Sequence, residues 1–159
     1  MTATEPALRL QHARYDDATS HALIQELQAE YVLRYGGPDH TPVDADEFAA
    51  PSGAFLVLIL GDDPVACAGL RRHDDQQVEV KRMFVRAPFR GRGLSRQLLA
   101  AVEDEARRLG YTRILLETGS AQPEAVGLYR SSGYTAIPGF GYYADSPGNL
   151  CFAKDLSPR

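Results

Sequence analysis

The chain has 159 residues, 44% hydrophobic and 24% charged, with a formal net charge of −4; this is one domain's length with a sizeable core, and the charge argues against broad binding to nucleic acid or an anionic membrane surface. The longest purely apolar run, Ala54 to Leu60, falls far short of the ~20 residues of a membrane span, and Met1 to Pro6 lacks the apolar stretch of a secretory leader. Two cysteines, Cys67 and Cys151, form no CxxC pair, which points to buried fillers in a reduced, cytoplasmic protein rather than to a metal site or disulfide framework.

Ala7 to His12 alternates as a short strand does. Asp16 and Asp17 can cap a helix running to about Tyr35, with Leu23, Ile24, Leu27 and Tyr31 at helical spacing and Gly36-Gly37-Pro38 as its stop. Residues 38–53 read as loop with one helical turn near Asp46. Phe55 to Leu60, Val65 to Arg72 and Val78 to Val85 read as three strands, joined by the turn chemistry of Gly61-Asp62-Asp63-Pro64 and His73-Asp74-Asp75-Gln76. After Pro88, a loop over Phe89 to Gly93 leads into an amphipathic helix whose apolar face is Leu94, Leu98, Leu99, Val102, Ala106 and Leu109, with Gly110 at its end. Arg113 to Glu117 is a short apolar strand, and Pro123 opens a helix through Ser131 that Gly133 stops. Tyr134 to Ile137 and Asn149 to Lys154 close the order as strands around a Gly- and Tyr-rich loop, Pro138 to Gly148. The pattern is α+β: an antiparallel meander, then strand–helix–strand–helix–strand.

Charge is unevenly placed. From Val80 to Val102 there is no acid, yet there are six bases: Lys81, Arg82, Arg86, Arg90, Arg92 and Arg96. They surround Arg90-Gly91-Arg92-Gly93-Leu94-Ser95-Arg96, a glycine turn at a helix start. The first amides of a helix have no internal acceptor and carry partial positive charge, and glycines let an anion approach them closely. Such a turn suits a pyrophosphate. A P-loop is excluded because no Gly-Lys dipeptide exists. A dinucleotide fingerprint fails because Arg96 stands where its third glycine belongs and the loop follows a meander rather than opening a first βαβ unit.

The turn resembles the R-x-x-G-x-G/A loop of the GNAT acyltransferase superfamily, with Arg90 and Gly93 in place and Ser95 as a small substitute for Gly or Ala. Gln122 to Tyr134 is similar to that family's N-x-x-A-x-x-L-Y-x-x-x-G-F helix, with Gln122 for Asn. The resemblance covers about Val78 to Phe152; before Gly53 only the strand–helix order matches. It implies one GNAT domain over 1–159, with residues 1–53 on the acceptor side, residues 78–152 on the CoA side, and a mixed, mostly antiparallel sheet of six or seven strands. In this family the sheet splays between its fourth and fifth strands, where CoA wedges.

The resemblance further implies roles. Arg90, Gly91, Arg92, Gly93, Leu94, Ser95 and Arg96 would hold the pyrophosphate of acetyl-CoA. Met83, Phe84 and Val85 would pair by backbone with the pantetheine and polarise the thioester, and Gln122 would offer an amide. Tyr129 is the expected general acid, a phenol with reference pKa ≈ 10 that can protonate the leaving thiolate. Glu79 is the expected base, with Glu117 second; the bland reading of Glu79 is a strand carboxylate paired with Lys81. Tyr31, Tyr35, Tyr142 and Tyr143 are expected acceptor-pocket walls. Lys81 and Arg82, with Arg71 and Arg72 beside them, would favour an acceptor bearing a carboxylate if they face the cleft. His12, His21, His40 and His73 lack metal-ligand spacing and read as surface residues.

The expected activity is direct transfer of an acetyl group from acetyl-CoA to a primary amine of a small molecule, with no metal, nucleic acid or membrane partner. A homodimer is left open. The alternatives are a catalytically weak acyl-CoA sensor and a protein or peptide N-acetyltransferase.

Overall fold

The computed structural model describes residues 4–157; Met1 to Ala3 and Pro158–Arg159, the outermost parts of the expected leaderless start and of the 1–159 domain, lie outside the described residues. The hydrophobic pattern decides the layers. Strand β2, Ala54–Leu60, is apolar at every position, so both of its faces must be covered. Ala54, Leu56 and Leu58 pack with Leu94, Leu98, Leu99 and Val102 of helix α2, Leu94–Arg108. Phe55, Val57 and Ile59 pack with Leu23 and Leu27 of helix α1, Ala18–Tyr35, and with Phe48.

The remaining strands are β1 (Leu8–His12), β3 (Asp63–Arg72), β4 (Gln77–Val85), β5 (Arg113–Gly119), β6 (Thr135–Ile137) and β7 (Asn149–Asp155), and helix α3 spans Pro123–Ser131. They form a seven-stranded sheet in the order β1-β2-β3-β4-β5-β7-β6. Every neighbouring pair is antiparallel except β4 and β5. This is the α+β architecture expected from the chain order, with β5 running two residues past Glu117 and short 3-10 turns at Ala45–Phe48 and Ala87–Phe89.

The helix limits follow local chemistry. The Asp17 side chain accepts from the Ser20 amide at 2.7 Å, which supplies one of the orphan first-turn donors. Gly36, with φ +80°, closes the other end of α1 and its N–H donates to the Val32 carbonyl.

One irregularity positions the site. Cys67 pairs with Phe84 and Gly69 with Lys81, so Arg82 and Met83 together oppose only Ala68. This is a β-bulge, and Arg82 takes φ +59° there. The bulge interrupts alternation, so the consecutive residues Lys81 and Arg82 reach the same side of the sheet and share the Asp39 carboxylate. Gly69 faces the bulge from β3; an added Cβ would sit 2.7 Å from two Phe48 ring carbons, so the ring occupies the space a side chain would need.

Candidate active site

Strands β4 and β5 pair only from Gln77↔Arg113 to Glu79↔Leu115. Beyond that level they part, and a cleft of ≈ 520 Å³ opens, lined by Val80–Met83 of one strand and Leu116–Gly119 of the other. Parted strands no longer satisfy each other's backbone groups along the facing edges, so a guest with amides of its own can hydrogen-bond there as an added strand does. Helix α1 and residues 36–40 contribute Tyr31, Tyr35 and Asp39 to the cleft wall, and α3 contributes Ala125 and Tyr129.

Two groups in the cleft are chemically unsettled. Glu117 accepts from Lys81 Nζ through Oε1 at 3.1 Å, while its other oxygen, Oε2, is buried with no hydrogen-bond partner among the described residues. Burial raises the Glu117 pKa; Lys81 pulls against it, and the nearby Glu79 and Asp39 charges push the same way as burial. The second group is Tyr129. Burial pushes its phenol up to about 12, so it is protonated at neutral pH, and the hydroxyl's contact is the weak acceptor Met83 Sδ at 3.8 Å. A carboxylate able to take a proton and a phenol able to give one thus line the same opening.

Asp39 behaves oppositely. Burial works to raise its pKa, but Lys81, the Thr41 hydroxyl and amide, and Arg82 outweigh it and hold the carboxyl at about 2. Arg82 donates to Asp39 through Nη1 and to the Tyr15 hydroxyl through Nε at 3.5 Å. Neither cysteine offers a nucleophile: burial pushes the Cys67 thiol up to about 12 and also raises that of Cys151. Among the described residues no group of three or more His, Cys, Asp or Glu converges as a metal set.

The comparison with known proteins fits this geometry. Residues 20–134 match the acetyltransferase (GNAT) family. The chain belongs to the GNAT family. It is 36% identical over 135 residues to an IAA acetyltransferase of Azospirillum brasilense, covering 84% of this chain and 88% of that protein. A crystal structure described as an acyl-CoA N-acyltransferase from Klebsiella pneumoniae superposes with a TM-score of 0.80 at 27% identity, covering 94% of this chain and 98% of the other. A GNAT family acetyltransferase from Elizabethkingia anophelis, solved with acetyl-CoA bound, has the same fold, with a TM-score of 0.70 at 16% identity over 94% of this chain and 98% of the other.

The GNAT loop has the expected backbone and a more divided set of side chains. Gly91 and Gly93 both adopt φ +77°; the first amides of Leu94, Ser95 and Arg96 lack an intrahelical acceptor, as at any helix start, and among the described residues no side chain caps them. Arg90 does not stand free. Its guanidinium pairs with Glu30 at 2.7 Å, donates to the Val85 carbonyl at 2.9 Å and lies over the Phe84 ring, which ties the loop to α1. Arg96 donates to the Ser131 hydroxyl at 2.8 Å, and Arg92 lies over the Phe89 ring. Arg92 and Arg96 are exposed and, unlike Arg90, have no carboxylate partner among the described residues.

Other expected residues divide between cleft and scaffold. Lys81, Arg82, Met83, Gln122, Tyr31, Tyr35 and Tyr129 line the opening. Gln122 Oε1 accepts from Tyr35 at 2.9 Å and from Thr118 at 3.2 Å, so its carbonyl is engaged. Phe84 and Val85 side chains belong to the two cores, on opposite faces of the sheet. Glu79 stands at the last paired level of β4, buried, and accepts from Arg71 Nε at 2.7 Å. The pairing of Glu79 with Lys81 is corrected: Lys81 turns across the parted strands to Glu117. Arg71 continues to the Pro42 carbonyl and Glu47, and Arg72 pairs with Asp75 at the surface, so neither reaches the cleft. Tyr142 is exposed and stacks edge-on against Tyr143; it is Tyr143 that lines the cleft, its hydroxyl accepting from the His40 amide at 2.7 Å.

Sequence reasoning missed Asp39 and Thr41, which order both cleft cations. They sit in the irregular 38–53 segment, where no periodicity marks a residue as inward. The one signal for Asp39 was an acid directly after a Gly-Gly-Pro helix stop, which is also ordinary turn chemistry.

Proposed function

We propose that the chain transfers an acetyl group from acetyl-CoA directly to a primary amine of a small molecule. The observation that carries this reading is the placement of Glu117, with one buried and unpartnered oxygen, and the protonated Tyr129 hydroxyl in one cleft between parted strands. The loop amides of Leu94, Ser95 and Arg96 suit the CoA diphosphate, and the open edge of β4 at Met83 suits the pantetheine amides. Acetyl-CoA supplies a thioester carbonyl. Glu117 takes the proton that the amine must lose, and Tyr129 gives one to the departing sulfur. The high pKa of both thiols supports direct transfer over an acyl-enzyme.

A small acceptor is favoured because Lys81 and Arg82 at the acceptor end are almost wholly buried under Asp39 and Thr41.

Glu117 rather than Glu79 is assigned as the base because Glu79 is paired with Arg71 and absent from the cleft lining. The test is the pH dependence of acetyl-CoA turnover, followed by free-thiol release. A base must be deprotonated to act, so kcat/KM falls as pH drops through the Glu117 pKa, which burial raises from its ordinary value. Glu117→Gln is expected to lower kcat/KM about 100-fold or more and abolish that acidic limb, and Tyr129→Phe to lower kcat by a similar factor. Glu79→Gln should lower stability while leaving the limb in place; an intact limb in Glu117→Gln would transfer the base role elsewhere.

A further inference from the structure

The acceptor end of the cleft gathers four charged groups that are largely shielded from solvent. Lys81 and Arg82 bring two positive charges, with side chains 5% and 4% exposed, and Asp39 and Glu117 bring two negative charges, 12% and 9% exposed. The pocket without acceptor is therefore neutral. A simple alkylamine arrives as an ammonium, since its ordinary pKa is near 10.4, and leaves one positive charge unbalanced there. Passing the proton to Glu117 only moves that charge. Uncompensated charge in a desolvated site is costly. An amine that carries its own carboxylate keeps the pocket neutral both before and after the proton moves.

The hydrogen bonding points the same way. The Lys81 ammonium has three donors, yet its one short bond is to Glu117 Oε1 at 3.1 Å. Thr41 Oγ1 lies at 3.5 Å, and Asp39 Oδ2 at 3.9 Å is beyond hydrogen-bond range. Arg82 uses Nη1 and Nε, which leaves Nη2 without an acceptor among the described residues. Two buried cations with spare donors thus stand beside a carboxylate with a spare acceptor, Glu117 Oε2.

We propose that the acceptor is a free amino acid, its nitrogen held by Glu117 Oε2 and its carboxylate by Lys81 and Arg82. This rests on the transferase reading above and narrows it. Because Glu117 and Lys81 touch, the nitrogen and carboxylate of the acceptor must also be neighbours, which selects α- or β-amino acids over those with distant termini. In the transfer, the nitrogen lone pair forms the C–N bond at the acetyl carbon and the C–S bond breaks. The ammonium first gives one proton to Glu117; as the C–S bond breaks the sulfur takes a proton from Tyr129, and the second proton that the nitrogen sheds restores the Tyr129 phenol.

The test is free-thiol release from acetyl-CoA with the full-length protein, using L-amino acids and β-alanine, each beside its amide and its decarboxylated amine. At least one acid is expected to exceed its amide and its amine by about 100-fold or more in kcat/KM, because a site built around paired charges rejects the analogue that lacks one. Lys81→Gln, checked for folding by its melting temperature, should shrink that ratio at least tenfold; because Lys81 also holds Glu117, the rates with all three compounds fall, and the ratio between them is the readout. Amides or plain amines turned over as well as the acids would overturn the proposal and leave the acetyltransferase standing. No turnover of any compound, with acetyl-CoA bound as judged by its thermal shift, would overturn both readings.

Discussion

At the residue scale, the cleft depends on Asp39. Its carboxylate is the shared partner of Lys81 and Arg82 on a bulge that brings both to one side, and it is fixed in turn by the Thr41 amide at 2.9 Å and the Thr41 hydroxyl at 2.6 Å. The folded carboxyl is held at about 2, below its ordinary value of 3.8. The stabilisation is therefore complete above pH 3.8 and drains away as pH falls toward 2. Asp39 is partly open to solvent, so its full pKa shift overstates the effect, and about 1–2 kcal/mol is expected. Asp39→Asn should lower stability at pH 7 by about 2 kcal/mol or more, since it also leaves Arg82 without a counter-charge. Urea unfolding of both proteins between pH 7 and pH 3 checks this: the wild-type advantage should narrow as the acid limb is reached, and a constant gap would mean that Asp39 acts through packing alone.

At the element scale, the bulge in β4 is the feature from which the site grows. Holding Arg82 at a positive φ costs roughly 1 kcal/mol or more for a residue with a side chain. The cost is offset where the fold over-determines it: the Arg82 carbonyl accepts from Cys67 Sγ at 3.3 Å, and the guanidinium is clasped by Asp39. Across from it, Gly69 leaves room for the Phe48 ring. Gly69→Ala would press a methyl to 2.7 Å from that ring, and overpacking of this kind costs about 1–3 kcal/mol. The melting temperature should fall by several degrees, and kcat/KM should fall more than in a destabilised control such as Leu23→Ala, because the push bears on the strand that aims Lys81 and Arg82. Equal activity at a temperature where both variants are folded would separate the bulge from the chemistry. Here the limits of the sequence become physical. Strands and helices were legible because alternation, helical spacing, Asp17 and Gly36 act locally. The loop was legible because glycine turns at helix starts recur for one electrostatic reason. The bulge was not, since Lys81-Arg82-Met83 looks like any strand segment, and its register is set by β3 and Phe48. Nor was the placing of Glu117 in the cleft lining and Glu79 outside it. It turns on where β4 and β5 stop pairing, a property of two distant segments together.

At the scale of the whole molecule, the sheet is held together on both sides of a gap that its own hydrogen bonds do not span. Helix α1 crosses between the halves. Arg90 ties the start of α2 to Glu30, while Arg34 reaches the Ala121 carbonyl at 2.9 Å and pairs with Glu124, and Tyr35 donates to Gln122. These bonds lie at or near the surface, where single ion pairs contribute about 0–1 kcal/mol each, so they locate the two halves without locking them. A ligand that joins β4 to β5 through its amides and seats a diphosphate on α2 would add contacts where the protein alone has few. Anything that binds only the folded chain stabilises it by mass action, about 2.7 kcal/mol at a hundred times its Kd. For a domain of this size that is a rise of about 5–10 °C in melting temperature. The diphosphate share can be isolated with S-acetylpantetheine, which keeps the thioester and the amides but lacks the anion. Acetyl-CoA is expected to give the full rise, weakening as salt is added because Arg92 and Arg96 are exposed, and S-acetylpantetheine at the same concentration to give less than about a fifth of it. Arg92→Gln combined with Arg96→Gln should reduce the acetyl-CoA shift and flatten its salt dependence while leaving the S-acetylpantetheine shift as it was, since neither arginine lies among the residues that line the cleft. Equal shifts from the two ligands would mean that the turn after Phe89 holds no phosphate, and the anion site would have to be sought on another edge of the cleft.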